Sequence, residues 1–510
     1  MLKRRVLLAL AIVSAAVLSI AVFSGGQIQA QSGVKDLKYG STFVYSSLDP
    51  ADNFSGWFSV ELGLLETLAK LDDRMRPIPH LAESIENVEP TTWKVTLKDG
   101  VKFHNGQPLT AQAAKDSLER VIGLNERAKT GLLIESIAVD GRVLTIKTTT
   151  PHPTFINALC DPFASIVFTG ELTPTVVYGT GPFKVDNFIP NGNAYLVRFD
   201  DYWGGKPKLD KYTYVYQADP GTLTMALQSG EIDASCDIPG PSRQLFRDKP
   251  DYNILSTASS RVLFLYYNLK NAIIGDVAVR KAINMALDKA TYCDVLLDGA
   301  CRVATSLFPD YLPYSGDRVK GTAFDLEGAK AALEAAGYKA GADGIRAKDG
   351  KPLSITISTY TSRVELPILA EAIQAQLREI GIDVKLDVME SVEEKLQAGD
   401  FEIIIYSLVT TPLGDPQSML DNLLKSTGAY NYGKFADPET DKQIAELTGE
   451  FDQAKRIELA VNIQKKAMEE NAFGFIGHQN RTLISRKGVV DLPNHPSDID
   501  GVNAKTDLVR

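Results

Sequence analysis

The chain carries few residues grouped for catalysis. Its five histidines, His80, His104, His152, His478 and His495, include no pair spaced i, i+4, so no helix offers two imidazoles to one metal. There is no HExxH, no GxSxG, no phosphate-cradling loop and no GxGxxG after a strand. Sixty-four carboxylates are spread along the chain without a cluster, so a paired-acid secreted hydrolase is the weaker, second-class reading. Of four cysteines, Cys293 and Cys301 are close enough to close a small loop, and the absence of CxxC argues against a thiol redox centre. His104, in a turn, reads as a solvated residue. What remains suits binding: Arg363, between a strand and a helix, presents a fork that matches a carboxylate, and Tyr45, Trp57 and Tyr406 are candidate walls for a cleft.

Length and charge narrow the setting. At 510 residues the chain needs more than one hydrophobic core. A net charge of -10 argues against nucleic acid, which needs a basic face, while leaving room for a cationic ligand. Lys3-Arg4-Arg5, the apolar run Val6 to Phe23 and the small residue Ala30 predict a secretory signal over 1–30. Cleavage there removes three cations and takes the net charge from -10 to -13. No cysteine stands near the cut, so a lipid anchor is not expected, and the mature chain is expected in a periplasm.

The elements that must position these side chains are legible in several stretches. Tyr178 to Gln217 holds short apolar runs around Pro190-Asn191-Gly192-Asn193, a hairpin signal because both central residues tolerate positive φ. Phe58 to Leu71 has helical spacing. Trp93 to Phe103 alternates around Asp99-Gly100 as a hairpin, and Thr110 is placed to cap a helix over Ala111 to Val121. Asp276 and Asp325 cap further helices. From Ser354 onward the pattern is strand Ser354–Tyr360, helix Val364–Ile380, strand Ile382–Val388, helix Val392–Ala398 and strand Phe401–Tyr406. Such alternation implies an α/β fold with a parallel sheet, whose ligands sit beyond the carboxyl ends of the strands. Those ends fall at Tyr360 to Arg363 and at Ser407 to Asp415.

Three stretches carry more than periodicity: Gly179-Thr180-Gly181-Pro182-Phe183, Tyr202-Trp203-Gly204-Gly205-Lys206-Pro207 and Ala226 to Asp233. With Trp93 to Thr110 and Val279 to Asp288, they resemble the family 5 extracellular solute-binding proteins of ABC importers, which carry dipeptides, oligopeptides and nickel complexes. The resemblance implies a two-lobed type II periplasmic-binding-protein (venus-flytrap) fold with an additional small α+β domain. It divides the chain into a signal, 1–30; lobe I, 31–70 with 177–262 and 478–510; a small α+β insertion, 71–176; and lobe II, 263–477. It implies no catalysis and no cofactor, a monomer, and as partners a membrane permease and its ATPase.

Peptide-binding relatives usually place an aspartate three residues before an Asp-Pro pair. Here that position, before Asp415-Pro416, is Pro412 in Thr410-Thr411-Pro412-Leu413-Gly414-Asp415-Pro416. Asp415 itself reads as a helix cap. The stretch resembles the nickel-type branch more closely, so a nickel or metal-chelate cargo is favoured over a di- or oligopeptide. On that resemblance His478 and His495 are candidate metal ligands, since imidazole suits Ni(II). Arg363, Tyr406, Thr411, Trp57 and Tyr45 are the candidate ligand contacts.

Overall fold

Two long strands organise the molecule. The computed structural model describes residues 33–497, 499 and 501–509, so the segment 1–30 assigned as a signal lies outside the described residues. Tyr252–Tyr267 and Phe473–Arg486 run antiparallel beside each other in the middle of an 11-stranded mixed sheet. On one side the sheet continues through Ile403–Val409, Ser354–Tyr360 and Asp383–Met389. On the other it continues through Ala234–Ser235, Asp36–Ser41, Lys211–Tyr216, Ala194–Arg198 and Phe183–Phe188. The strands predicted from alternation with helices pair in parallel, Ser354–Tyr360 with both neighbours. The helix Glu365–Glu379 buries Leu366, Leu369, Ala370, Ile373 and Leu377 against them.

The long pair changes register between Ala258 and Val262, so Ser259 to Arg261 bulge out of the ladder. Ser260 O is held there by Thr410, through its N–H at 2.8 Å and its hydroxyl at 2.9 Å. A separate four-stranded antiparallel sheet, built from Ala82–Glu89, Thr92–Leu97, Ile134–Asp140 and Val143–Thr148, packs with the helices Ala111–Leu124 and Glu126–Leu132. Asn157 Nδ2 donates to Leu413 O at 2.8 Å, tying this region to the segment before Asp415.

Several local expectations hold. Thr110 caps Ala111–Leu124, its hydroxyl accepting from Ala113 N. Asp276 and Asp325 cap Val277–Ala286 and Leu326–Ala335. Asn191 takes a positive φ of 57° in the hairpin. Asp415, expected as the cap, lies one residue before it: the helix Gln417–Leu424 has Pro416 at its N-cap, while Asp415 accepts from Gln417 N at 2.8 Å and receives the buried Arg456 guanidinium. Cys293 and Cys301 form a disulfide.

Three further expectations need correction. The helix over Phe58–Leu71 is only Ser55–Glu61, because Gly63 turns into the left-handed region at φ 67° and the chain goes on to strand Ala69–Leu71. Trp93 to Phe103 is not a hairpin: Thr92–Leu97 pairs with strands on both sides, and Lys102 makes only an isolated bridge to Pro108. His104 is not solvated. It is 8% exposed, Gly179 N donates to its Nδ1 at 3.3 Å, and its Nε2 meets Gly181 O at 3.0 Å.

The conspicuous motifs have structural work. Glu66, buried, accepts from Thr180 Oγ1 at 2.7 Å, Tyr202 Oη at 2.7 Å and Trp203 Nε1 at 2.8 Å, with His80 Nε2 at 3.3 Å. Burial alone would raise this carboxyl, but the imidazole and the two ring donors outweigh it and hold Glu66 below the usual carboxylate range.

Candidate functional site

Where the long strands bulge, the sheet opens into a cleft of about 650 Å³. The bulge supplies Ser259 and Arg261, and its partner strand supplies Gln479, Asn480 and Arg481. Strand Asp36–Ser41 and the loop after it bring Tyr39, Phe43 and Tyr45; the helix Ser55–Glu61 brings Trp57 and Glu61. Tyr212 and Tyr214 come from Lys211–Tyr216, and Arg363 comes from the turn after Ser354–Tyr360. Phe43, Tyr45 and Arg363 thus enter from beyond the carboxyl ends of parallel strands, while the bulge and its partner residues enter from mid-strand.

One wall is an aromatic stack. Tyr45 lies on Phe58 with ring centroids 4.2 Å apart, and Phe58 meets the Tyr214 ring edge-on at 4.9 Å. Tyr214 Oη donates to Phe43 O at 2.8 Å. Phe54 and Trp57 continue the wall, with the Arg127 guanidinium 4.6 Å above the Phe54 ring. Desolvation lifts the Tyr45 and Tyr214 phenols far above their ordinary value, so both stay neutral donors.

The cleft reverses the protein's overall sign. Arg261, Arg363 and Arg481 face two carboxylates, Glu61 and Asp237. Asp237 is already engaged by Ser41 Oγ at 2.6 Å and Thr42 N at 2.8 Å. Arg261 reaches Ser407 Oγ at 3.3 Å and Arg481 reaches Asn494 Oδ1 at 3.1 Å. Arg363 is half-buried, and among the described residues no hydrogen bond or ion pair engages its guanidinium.

The structure thus brings Tyr45, Trp57 and Arg363 into one cleft. Tyr406 lies away from its lining, half-buried against Tyr360 and Tyr266, with its hydroxyl donating to Glu393 at 3.2 Å. Thr411 is fully buried beside Tyr314. His478 is 4% exposed; desolvation lowers its imidazole to about 4, against the pull of the Ser306 and Phe308 backbone. His495 is 5% exposed, with Nδ1 on Ser497 Oγ at 2.6 Å and Nε2 on Asp72 O at 3.0 Å. Neither histidine lines the cleft, and among the described residues no three His, Cys, Asp or Glu are grouped to hold a metal ion. Sequence reasoning missed Arg261, Arg481, Gln479 and Asn480. All sit in strands, where polar and charged residues read as an exposed face.

Known proteins agree with this architecture. The profile of the bacterial extracellular solute-binding proteins, family 5 (middle region), matches residues 76–431. The nickel-binding periplasmic protein of Escherichia coli K12 is 30% identical over 455 residues, 84% of this chain and 86% of that one. The crystal structure of the nickel ABC transporter protein from Bacillus halodurans superposes with a TM-score of 0.86 at 31% identity, covering 93% of this chain and 100% of the other. That of NikA from Staphylococcus aureus in complex with Ni(L-His)2 gives 0.72 at 28%, covering 93% and 100%. The fold is that of the two-lobed type II periplasmic binding proteins. This chain belongs to the bacterial extracellular solute-binding proteins of family 5.

Proposed function

We propose that this protein captures a carboxylate-bearing chelate of nickel in the cleft and presents it to the permease and ATPase of an ABC importer, binding its cargo without catalysis. Arg363 carries the reading: a half-buried guanidinium with no partner of its own, facing an aromatic wall, suits an anionic ligand with flat faces. The chelator supplies the metal's donors, since the cleft's own groups do not form a cage. The names of the similar proteins support nickel as cargo.

The division into 31–70 with 177–262 and 478–510, 263–477, and 71–176 is the one a closing movement would use. The mature protein then works outside the cytoplasmic membrane as a monomer, after loss of residues 1–30. Among the described residues no helix is long and apolar enough to cross a membrane.

The test is calorimetry of the purified protein with Ni(II) in excess L-histidine. Arg363→Ala should weaken binding by about tenfold or more. Unchanged affinity removes Arg363 from the site. Native mass spectrometry of protein purified gently from cells separates the cargoes: a nickel-containing mass is expected, and a mixture of metal-free peptides would replace it with the peptide reading.

A further inference from the structure

The floor of the cleft is held from behind by a small covalent loop. The disulfide joins Cys293 to Cys301, with Cα atoms 5.0 Å apart. Beyond it, Cys301–Val303 pairs with the crossing strand, Cys301 beside Gln479 and Val303 beside Gly477. Gly477 leaves just enough room for the bridge, since a Cβ there would lie 2.7 Å from Cys293 Sγ and 2.8 Å from Cys301 Sγ. Asn480 is tied twice, its N–H to Ala300 O and its Nδ2 to Gly299 O, both at 2.8 Å. Gln479 and Asn480 both line the cleft.

The loop also touches both sides of the bulge. Asp298 pairs with Arg247 at 2.7 Å. Arg247 follows Phe246, which is buried in the cluster around Leu223, Leu227 and Ile232, whereas Cys293 and Cys301 belong to the largest cluster. In the cleft wall, Asn480 Oδ1 is buried without a hydrogen-bond partner. Such an acceptor is costly and would rotate to find a donor. It stays in place because Nδ2 is anchored to the loop.

We propose that the disulfide-closed loop 293–301 is a positioning element of the ligand site, acting through Gln479 and Asn480, and that opening the disulfide weakens ligand binding. This rests on the reading of the cleft as the cargo site. Opening takes a dithiol reductant. Its thiolate attacks one sulfur of the bridge, the S–S bond breaks, and a mixed disulfide forms. Its second thiol then displaces the protein sulfur, leaving two protein thiols and an oxidised cyclic reductant, with two electrons and two protons transferred.

The experiment titrates Ni(II) in excess L-histidine into oxidised protein, dithiothreitol-treated protein, the Cys293→Ala/Cys301→Ala variant and Asn480→Ala. Hydrogen exchange of 477–482 is followed in parallel, with 36–41 as the internal control. Dissociation constants about tenfold higher are expected for the reduced, double-alanine and Asn480→Ala proteins. Exchange of 477–482 should quicken on reduction while 36–41 stays as it was. Reduction should add little to Asn480→Ala, because both act through one amide; a merely structural bridge would give additive losses. Affinity unchanged within about twofold, once mass spectrometry shows two free thiols, overturns the proposal. Should the double-alanine protein fail to fold, the reduced wild-type chain gives the same comparison. If the oxidised protein ignores the nickel probe, the cargo assignment fails by itself. Exchange then decides the loop's role: quickening at 477–482 supports it, no change overturns it.

Discussion

Uncharged buried imidazoles set an acid limit on this protein. Desolvation lowers His104 to about 4, its bond to Gly181 O opposing, and His478 falls to about 4 for the same first cause. An unfolded chain protonates each near 6.5, so the unfolded state binds more protons between these values. Stability is therefore full above pH 6.5 and falls as pH drops from 6.5 toward 4, by roughly 3 kcal/mol for each histidine. Glu66 adds a later loss. Its folded value is depressed, so its contribution is present above the ordinary carboxylate range and disappears as pH falls through the lowered value. Melting temperature should drop steeply between pH 6.5 and 4, and His104→Gln, which keeps a donor for Gly181 O, should flatten part of that slope; an unaltered slope contradicts the assignment. At this scale the sequence was legible where geometry is local. Arg363 follows a strand and precedes a helix, and that alone placed it at a sheet's ligand-binding edge. The burial of His104 depends on partners 75 and 77 residues away, and no local pattern encodes it.

At the scale of elements, close approach of backbones matters more than propensity. Gly181 lies so near the turn after Ser55–Glu61 that a Cβ would fall 2.2 Å from Gly63 O. Gly181→Ala should therefore cost roughly 3 kcal/mol or more, read as a fall in denaturant midpoint. Replacing the Asp276 cap by alanine should cost only about 1 kcal/mol. Capped helices, the Asn-Gly hairpin and the alternating strands were legible because each rests on residues within one turn or one strand. The strand Tyr252–Tyr267 is not marked by local pattern over its first half. Its first part is largely exposed, so no apolar alternation marks it before Ala258. The hairpin expected at Trp93 to Phe103 failed because a strand's partner is chosen by the core, not by the nearest turn.

At the scale of the molecule, the same two long strands run through the middle of the sheet and form the cleft floor. Ligand bound there should bias the bulge at Ser259 to Arg261 toward one geometry. Small-angle scattering should show a smaller radius of gyration with Ni(II)–histidine than without it, and an identical radius would argue against closure. No linker composition marks these strands, because they are ordinary sheet strands carrying ladder hydrogen bonds.

The aromatic wall adds a kinetic consequence. Tyr45 and Tyr214 are fixed through the buried Phe58 ring, and Trp57 packs against Phe54 and the Arg127 guanidinium. A solute meeting that wall finds a finished surface, so arrival is limited by diffusion and not by rearrangement. Departure instead requires the floor at Gln479 and Asn480 to yield. Capture speed and dwell time thus belong to different residues, and selection can lengthen one without slowing the other.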